Sequence, residues 1–494
     1  MRHRAGFLVI AVPFAFAATG AWADVTISSA ATSNMSCSSG ICAPTAVKAI
    51  LNVNDLESLL ASGNVEVATA GSGVQAKTIQ IKAALSWPSG SVLTLDSYNS
   101  IVIHQPISVT GLAGVTIVTN DGGQGGALRF ANNGNVTFAL LGSQLNINGT
   151  SYRLENDLKT LAYDIALRPG GAYALANADD ESNGGIYSTS PIGTNFRGQF
   201  TGLGNPISHL VIVDDADAEI GLFASLATKG VLANIRLKDV TIRASNNAAA
   251  SAVGGLAGVS FGAISDASVA GGVSGGTSSA DVGGLVGENS GTIMGSRSTK
   301  EATGSAVGGL VGTNLGSILD SWSGDVVQGG LLEGGLVGGN GGTIATSFAT
   351  GAVKVVHGVP GGCGGLVGYN IGAIVNSYAQ GSAGGHNSNV GGLAGANNIG
   401  TITSSYSTGL VTGNSIVGGF IGDNSAEVFT SYWDTTSSGT NQGVGNGSSS
   451  GVTGLTTTEL QSGLPTGFGN KIWAEKPNIN NGLPYLIANP PPKK

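Results

Sequence analysis

The sequence predicts an all-β molecule, a right-handed parallel β-helix in which short units pile up as coils, with short helices capping it or packed on its side. Three observations lead there. A Gly-rich hexapeptide returns seven times at a nearly constant interval, an Asn follows it at a fixed offset in six copies, and the composition excludes the common alternatives. Of 494 residues, 83 are Gly, 14 are Pro and only 10% are charged. Gly falls short of the one third, in strict three-residue period, that collagen needs. A hydrophobic content of 41% is too high for a disordered chain.

From the N-terminus, Arg2 and Arg4 precede an apolar run from Gly6 to Ala18, and Ala21-Trp22-Ala23 offers a small-x-small cleavage site. Residues 1–23 therefore read as a signal peptide, giving an exported chain that begins at Asp24. Without the leader, 19 basic groups face 29 acidic ones, a balance that argues against nucleic acid as a partner. No later stretch is apolar enough to span a membrane. In the segment 24–54, Cys37 and Cys42 lie five positions apart, and export makes a local disulfide the expected state. Cys363 is left unpaired, at a position where other repeats carry Val or Glu.

Asn54 with Glu57 three residues later reads as a capping box that opens a helix over Leu56, Leu59 and Leu60 and stops at Gly63, placed to cover the first coil. Residues 55–150 then carry short alternating segments such as Leu93-Thr-Leu95, Ile101-Val-Ile103 and Val115-Thr-Ile117 between Gly, Asn and Asp turns, the pattern of β-helix coils. A second helix from Asn156 to Leu167, closed by Pro169-Gly170-Gly171, opens a lead-in region 151–252.

The repeats fill residues 253–439. VGGLAG, VGGLVG and close variants start at Val253, Val282, Val307, Glu333, Cys363, Val390 and Val417. A period near 27 with slips of a few residues is how a solenoid behaves when loops vary and the coil does not. Stacking would merge Leu285, Leu310, Leu336, Leu366 and Leu393 into one core column. Asn289, Asn314, Asn340, Asn370, Asn397 and Asn424 would lie above one another as a turn ladder, with Ser260 in the first copy. A second apolar column runs through Ile264, Ile293, Ile318, Ile344, Ile374, Ile402 and Val428. Three residues after it stands Ser, and next Arg297, Trp322, Phe348, Tyr378, Tyr406 and Tyr432. Strict alternation turns these rings inward, whereas a bend after the Ile would turn them out as a strip for sugars; inward stacking is the expected arrangement. Residues 440–454 read as a Gly/Ser linker, and 455–494 as a capping segment that seals the last coil.

The repeated VGGLVG, the N-x-G turn and Ile402-Thr-Ser-Ser-Tyr-Ser-Thr-Gly409 resemble the GLUG motif of secreted and surface bacterial proteins. Residues 55–150 are similar to the repeat regions of filamentous-haemagglutinin-like adhesins. The resemblance implies an extracellular or cell-surface adhesin-like role, with host-cell or matrix glycans or proteins as partners and an outer-membrane secretion partner for export.

Residues suited to catalysis are thinly spread. His104, His209, His357 and His386 sit in unrelated contexts, and the G-x-S-x-G string Gly447–Gly451 lies in low-complexity sequence. No G-K-[ST] follows the glycine-rich strings, so they hold no phosphate. The acidic cluster Asp214, Asp215, Asp217 and Glu219 lacks the spacing of calcium loops. The sequence assigns no catalytic residue, no cofactor and no metal. The rival reading is a β-helix enzyme acting on extracellular polysaccharide, with a groove built by Asp179, Asp180, Glu181, Arg197, Arg236 and Lys238; a structural matrix component is the third.

Overall fold

The computed structural model describes residues 23–131, 133–244, 250–276, 280–356, 361–386 and 388–492. The expected leader therefore lies outside the described residues, apart from Ala23, as does His357. The chain is nearly all β and forms a parallel β-solenoid of about 15 turns with few helices.

Alternation builds each coil. In Val92–Asp96, Leu93 and Leu95 point inward and are fully buried while Thr94 faces out. Strands of successive coils pair in register, so that Leu93 lies between Val65 and Val115. Three faces recur in the N-terminal part, through strands such as Ser100–Ile103, Ile107–Val109 and Gly114–Val118. The first strand, Ala23–Ser28, slots between Ala49–Asn52 and Val74–Ile81. Helix α1, Val53–Ser62, occupies the place of a strand and packs on Leu85–Trp87, covering the start of that face with Val53, Leu56 and Leu60. Its cap is Asn52, whose Oδ1 accepts the Asn54 N–H at 2.8 Å, and not the expected Asn54–Glu57 box. Glu57 instead accepts the Ser86 N–H at 2.8 Å, tying the helix to the neighbouring strand.

The chain reverses at Asn148-Gly149. Both residues have positive φ, the requirement of a tight hairpin turn, and Gln144–Ile147 pairs antiparallel with Thr150–Glu155. Every later coil strand stacked on Thr150–Glu155 runs parallel to it. Among the described residues the interior of the coils holds two apolar cores, one over the N-terminal coils and one along the repeats. They abut where Val136 and Phe138 donate backbone hydrogen bonds to Leu203 and Ala176 at 3.0 Å and the Asn205 side chain donates to the Val136 carbonyl at 2.8 Å. Helix α2 spans Leu158–Leu167, capped by Asp157, and buries Leu158, Leu161 and Ile165.

In the repeats, one coil comprises the end of Arg297–Gly308, a bend at Gly309-Leu310, Val311–Asn314, Ser317–Leu319 and the start of the next long segment at Trp322. At the bend a Cβ on Gly308 would sit 1.8 Å from the Val311 carbonyl oxygen, so only Gly allows the hexapeptide to turn this sharply. The Leu column and the Ile column are both fully enclosed, and Ile402 stays in register with Ile374 although one extra residue precedes it.

Two expectations for the C-terminus are corrected. Residues 440–454 are no linker: Val444–Gly447 and Val452–Leu455 pair in parallel with Ile421–Asn424 and Ser431–Asp434 and complete a further coil. The segment after Leu455 does not seal the end of the stack. It runs back along one side, from helix α3 (Thr457–Leu460) near Asp434 to Asn489, which donates to the carbonyls of Ser321 and Thr346 at 3.2 and 3.1 Å.

Candidate functional site

The ladder asparagines form a continuous chain of buried side-chain hydrogen bonds along the array. Asn289 Nδ2 donates to Asn314 Oδ1 at 2.8 Å, Asn314 to Asn340, Asn340 to Asn370 and Asn370 to Asn397 at the same distance, and Asn397 to Asn424 at 2.9 Å. Asn424 ends the series on the Ser448 carbonyl at 2.7 Å. Ser260, in the first copy, is buried with no partner for its hydroxyl. A second polar ladder runs through the serines, which sequence reasoning singled out only as a column. The Ser321 N–H donates to Ser347 Oγ, Ser347 to Ser377, Ser377 to Ser405 and Ser405 to Ser431, while each Oγ donates to the carbonyl two residues back.

The residue before each Ser explains the rings. Asp320, Thr346, Asn376, Ser404 and Thr430 all have φ between +42° and +49°, a left-handed corner that puts Ser inside and the aromatic outside. The expected inward stacking is corrected accordingly. Trp322, Phe348, Tyr378 and Tyr406 stack nearly parallel at 4.7–5.7 Å on the outer surface. From Phe348 to Tyr406 they are buried all the same, because the C-terminal segment lies over them with Leu460, Phe468, Trp473, Leu483 and Leu486. Trp473 donates to Asn376 at 3.1 Å, Tyr406 to the Pro484 carbonyl at 2.7 Å and Tyr432 to the Thr466 carbonyl at 2.7 Å. The rings are cemented under protein and offer no open sugar strip.

Cys37 and Cys42 face one another across the hairpin Met35–Ser38/Ile41–Pro44 and are joined by a disulfide. Cys363 is buried between Glu333 and Val390 of the adjoining coils, and burial pushes its thiol pKa up. Burial also pushes Glu333 up to about 8 and Asp325 up to about 7, so these interior carboxyls favour the neutral form.

Among the open concavities of the described residues, two gather polar and aromatic side chains of the kind a site needs. The first is a cleft of about 790 Å³ beside α2, lined by Asp157, Lys159, Tyr163, Asp180, Glu181 and Tyr187. Tyr187 donates to Glu181 at 3.1 Å, and His209 Nδ1 lies 2.7 Å from Asp180 Oδ1. Burial and the Asp179 charge raise the Glu181 pKa, whereas the hydrogen bond from His209 lowers that of Asp180. Of the groove expected from sequence, Asp179 is spent on the start of α2, where it accepts the Leu158 N–H at 2.7 Å beside the Asp157 cap. Arg236 is spent on the Phe130 carbonyl at 3.0 Å, where the two cores meet, and Arg197 packs beside Gly170. Neither arginine lines the cleft, and nor does Lys238. Asp214 is buried and organises its own turn by accepting from Ala216 and Asp217 at 3.0 and 2.9 Å. Among the described residues no cluster of His, Cys, Asp and Glu is arranged to hold a metal.

The second concavity, about 470 Å³, lies on the flank of the repeats. Two outward columns form it: Leu332, Gly362 and Asn389 from one face, and Tyr369, Ala396 and Asp423 from the next. Small residues at Gly362 and Ala396 make the depression, and the Tyr369 hydroxyl is held by Asn398 Nδ2 at 2.9 Å. Asn446 donates to Asp423 Oδ1 at 2.8 Å. Sequence reasoning missed this groove, because its signal is the size of the outward residue at one offset of the repeat, read down the copies.

Among the described residues no helix is long and apolar enough to cross a membrane. No known protein family matches the chain. A stretch of 161 residues, 31% of the chain, is 30% identical to Halomucin of Haloquadratum walsbyi (strain DSM 16790 / HBSQ001), and the match spans 2% of that protein's length.

Proposed function

We propose that the protein is an exported interaction protein of the adhesin type, presenting its solenoid as a binding rod in the extracellular space or at the cell surface. One observation carries this reading: outward positions of the coil align in columns along the axis, which gives a long, regular flank with a groove in it. The leader-like N-terminus and the Cys37–Cys42 disulfide support export, and the resemblance of the repeats to the GLUG motif and of the N-terminal coils to haemagglutinin-like adhesins supports the adhesin role. On this reading the partners are host-cell or matrix glycans or proteins, and an outer-membrane partner passes the chain out.

A second reading, a polysaccharide-cleaving enzyme, draws on the cleft beside α2, where Tyr187, Glu181 and the Asp180–His209 pair gather. Incubating the purified chain with neutral and acidic polysaccharides separates the two. Saturable binding with unchanged polymer length is expected; release of reducing ends or unsaturated sugars, abolished by Tyr187→Phe or His209→Ala, would overturn the adhesin reading.

A further inference from the structure

We infer that the flank groove at Tyr369 is a glycan-binding subsite, taking neutral pyranose rings of an extended chain that lies along the solenoid axis. The inference rests on the extracellular-binding reading and names the place where binding occurs.

Shape comes first. The groove runs across coils, between the Leu332–Gly362–Asn389 column and the Tyr369–Ala396–Asp423 column. Its volume of about 470 Å³ falls within the range of small-ligand sites, ~300–1,000 Å³. Coils rise by ~4.8 Å, roughly the advance per ring of an extended polysaccharide, so equivalent positions on successive coils can meet successive sugars.

Chemistry agrees with shape. A pyranose has an apolar face of C–H bonds and a rim of hydroxyls. Tyr369 offers a half-buried ring whose π face is electron-rich and attracts such C–H groups. Its hydroxyl is tethered by Asn398, which limits the loss of side-chain freedom on binding. Leu331 and Leu332 form the opposite apolar wall. Asn389, Asn398 and Asp423 supply amide donors and acceptors and a carboxylate, with Asp423 oriented by Asn446. Such a set reads hydroxyl groups, which both give and accept hydrogen bonds.

Charge decides between glycan classes. No Lys or Arg lines the groove, Asp423 is in it, and Glu288 stands further along the same outward column. With a net charge of −8 on the whole chain, a uronate or sulfated polymer is repelled and a neutral one is not.

Titration calorimetry on the full chain with cellohexaose, mannohexaose, maltohexaose and, as the acidic comparison, hexagalacturonate tests this. At least one neutral hexaose binds, hexagalacturonate does not, and Tyr369→Ala weakens binding at least tenfold. Ala396→Phe fills the floor; since the equivalent position one coil earlier holds Tyr, the variant folds with an unchanged melting temperature and also loses at least tenfold. Binding that survives in both variants overturns the subsite and leaves the adhesin reading standing, as does binding of matrix protein with no neutral hexaose bound. Shortening of any hexaose overturns both.

Discussion

A buried Asn carries two N–H donors and an acceptor, and a coil above and below can satisfy them without water. That is why six asparagines are fully enclosed here at little cost. Breaking the middle of the ladder strands polar atoms on both sides: Asn340→Ala should destabilise by about 3 kcal/mol in urea unfolding. At the open end the sign reverses. Ser260 has no partner beside Asn289, so Ser260→Asn should extend the ladder and stabilise by about 1 kcal/mol. The interior carboxyl at Glu333 makes stability fall with pH. Its folded pKa of about 8 exceeds the ordinary 4.5, so the native state keeps the proton longer; the contribution of this group to stability is full below pH 4.5 and is lost as pH rises to about 8. Glu333→Val, which restores the residue found at Val307 and Val390 in the same column, should flatten that decline and raise the urea midpoint at pH 8 while changing little at pH 4. Much at this scale was legible: the Asn, Leu and Ile columns follow from spacing alone. The Ser ladder was not, because a serine at fixed offset looks like any turn residue until the left-handed corner before it turns it inward.

Among the elements, the C-terminal segment behaves as a strap. It spans the coils of Tyr432, Tyr406, Tyr378, Phe348 and Trp322 and turns an exposed aromatic stack into a third apolar cluster. Its grip centres on Trp473, fully buried against Tyr378, Tyr406 and Phe468. Trp473→Ala should cost about 3–5 kcal/mol locally, so limited proteolysis is expected to remove the strap after residue 455 while the coils stay intact and begin to bind a hydrophobic dye. Sequence alone hid this, because the partners lie 23–168 residues apart and nothing local in either announces the other. The final coil reads as a linker in sequence for a related reason: Gly and Ser are also what tight coil corners require, and Gly447 and Gly451 there have φ of +92° and +78°. The Asn148-Gly149 dipeptide is a strong local turn signal, but the even spacing of short strands over residues 55–150 masked it, and with it the reversal of strand direction.

For the whole molecule, stability is a sum over neighbouring coils, and no unit of the repeat buries its own apolar face. The same stacking builds the flank groove, which exists only where outward residues of different coils meet. The periodic hexapeptide made the stacking legible from the chain; the groove required knowing which outward positions share a flank. The solenoid depends on coils in register, and one distance tests that most directly. Thr292 and Glu427 are both exposed and belong to one column of paired strands, five coil steps apart through Ser317, Thr343, Ala373 and Thr401. Spin labels on Thr292→Cys and Glu427→Cys, in a Cys363→Val background, should give a narrow distribution centred at ~24 Å by pulsed electron resonance. A broad distribution, or a mean beyond ~35 Å, would contradict the stacked register.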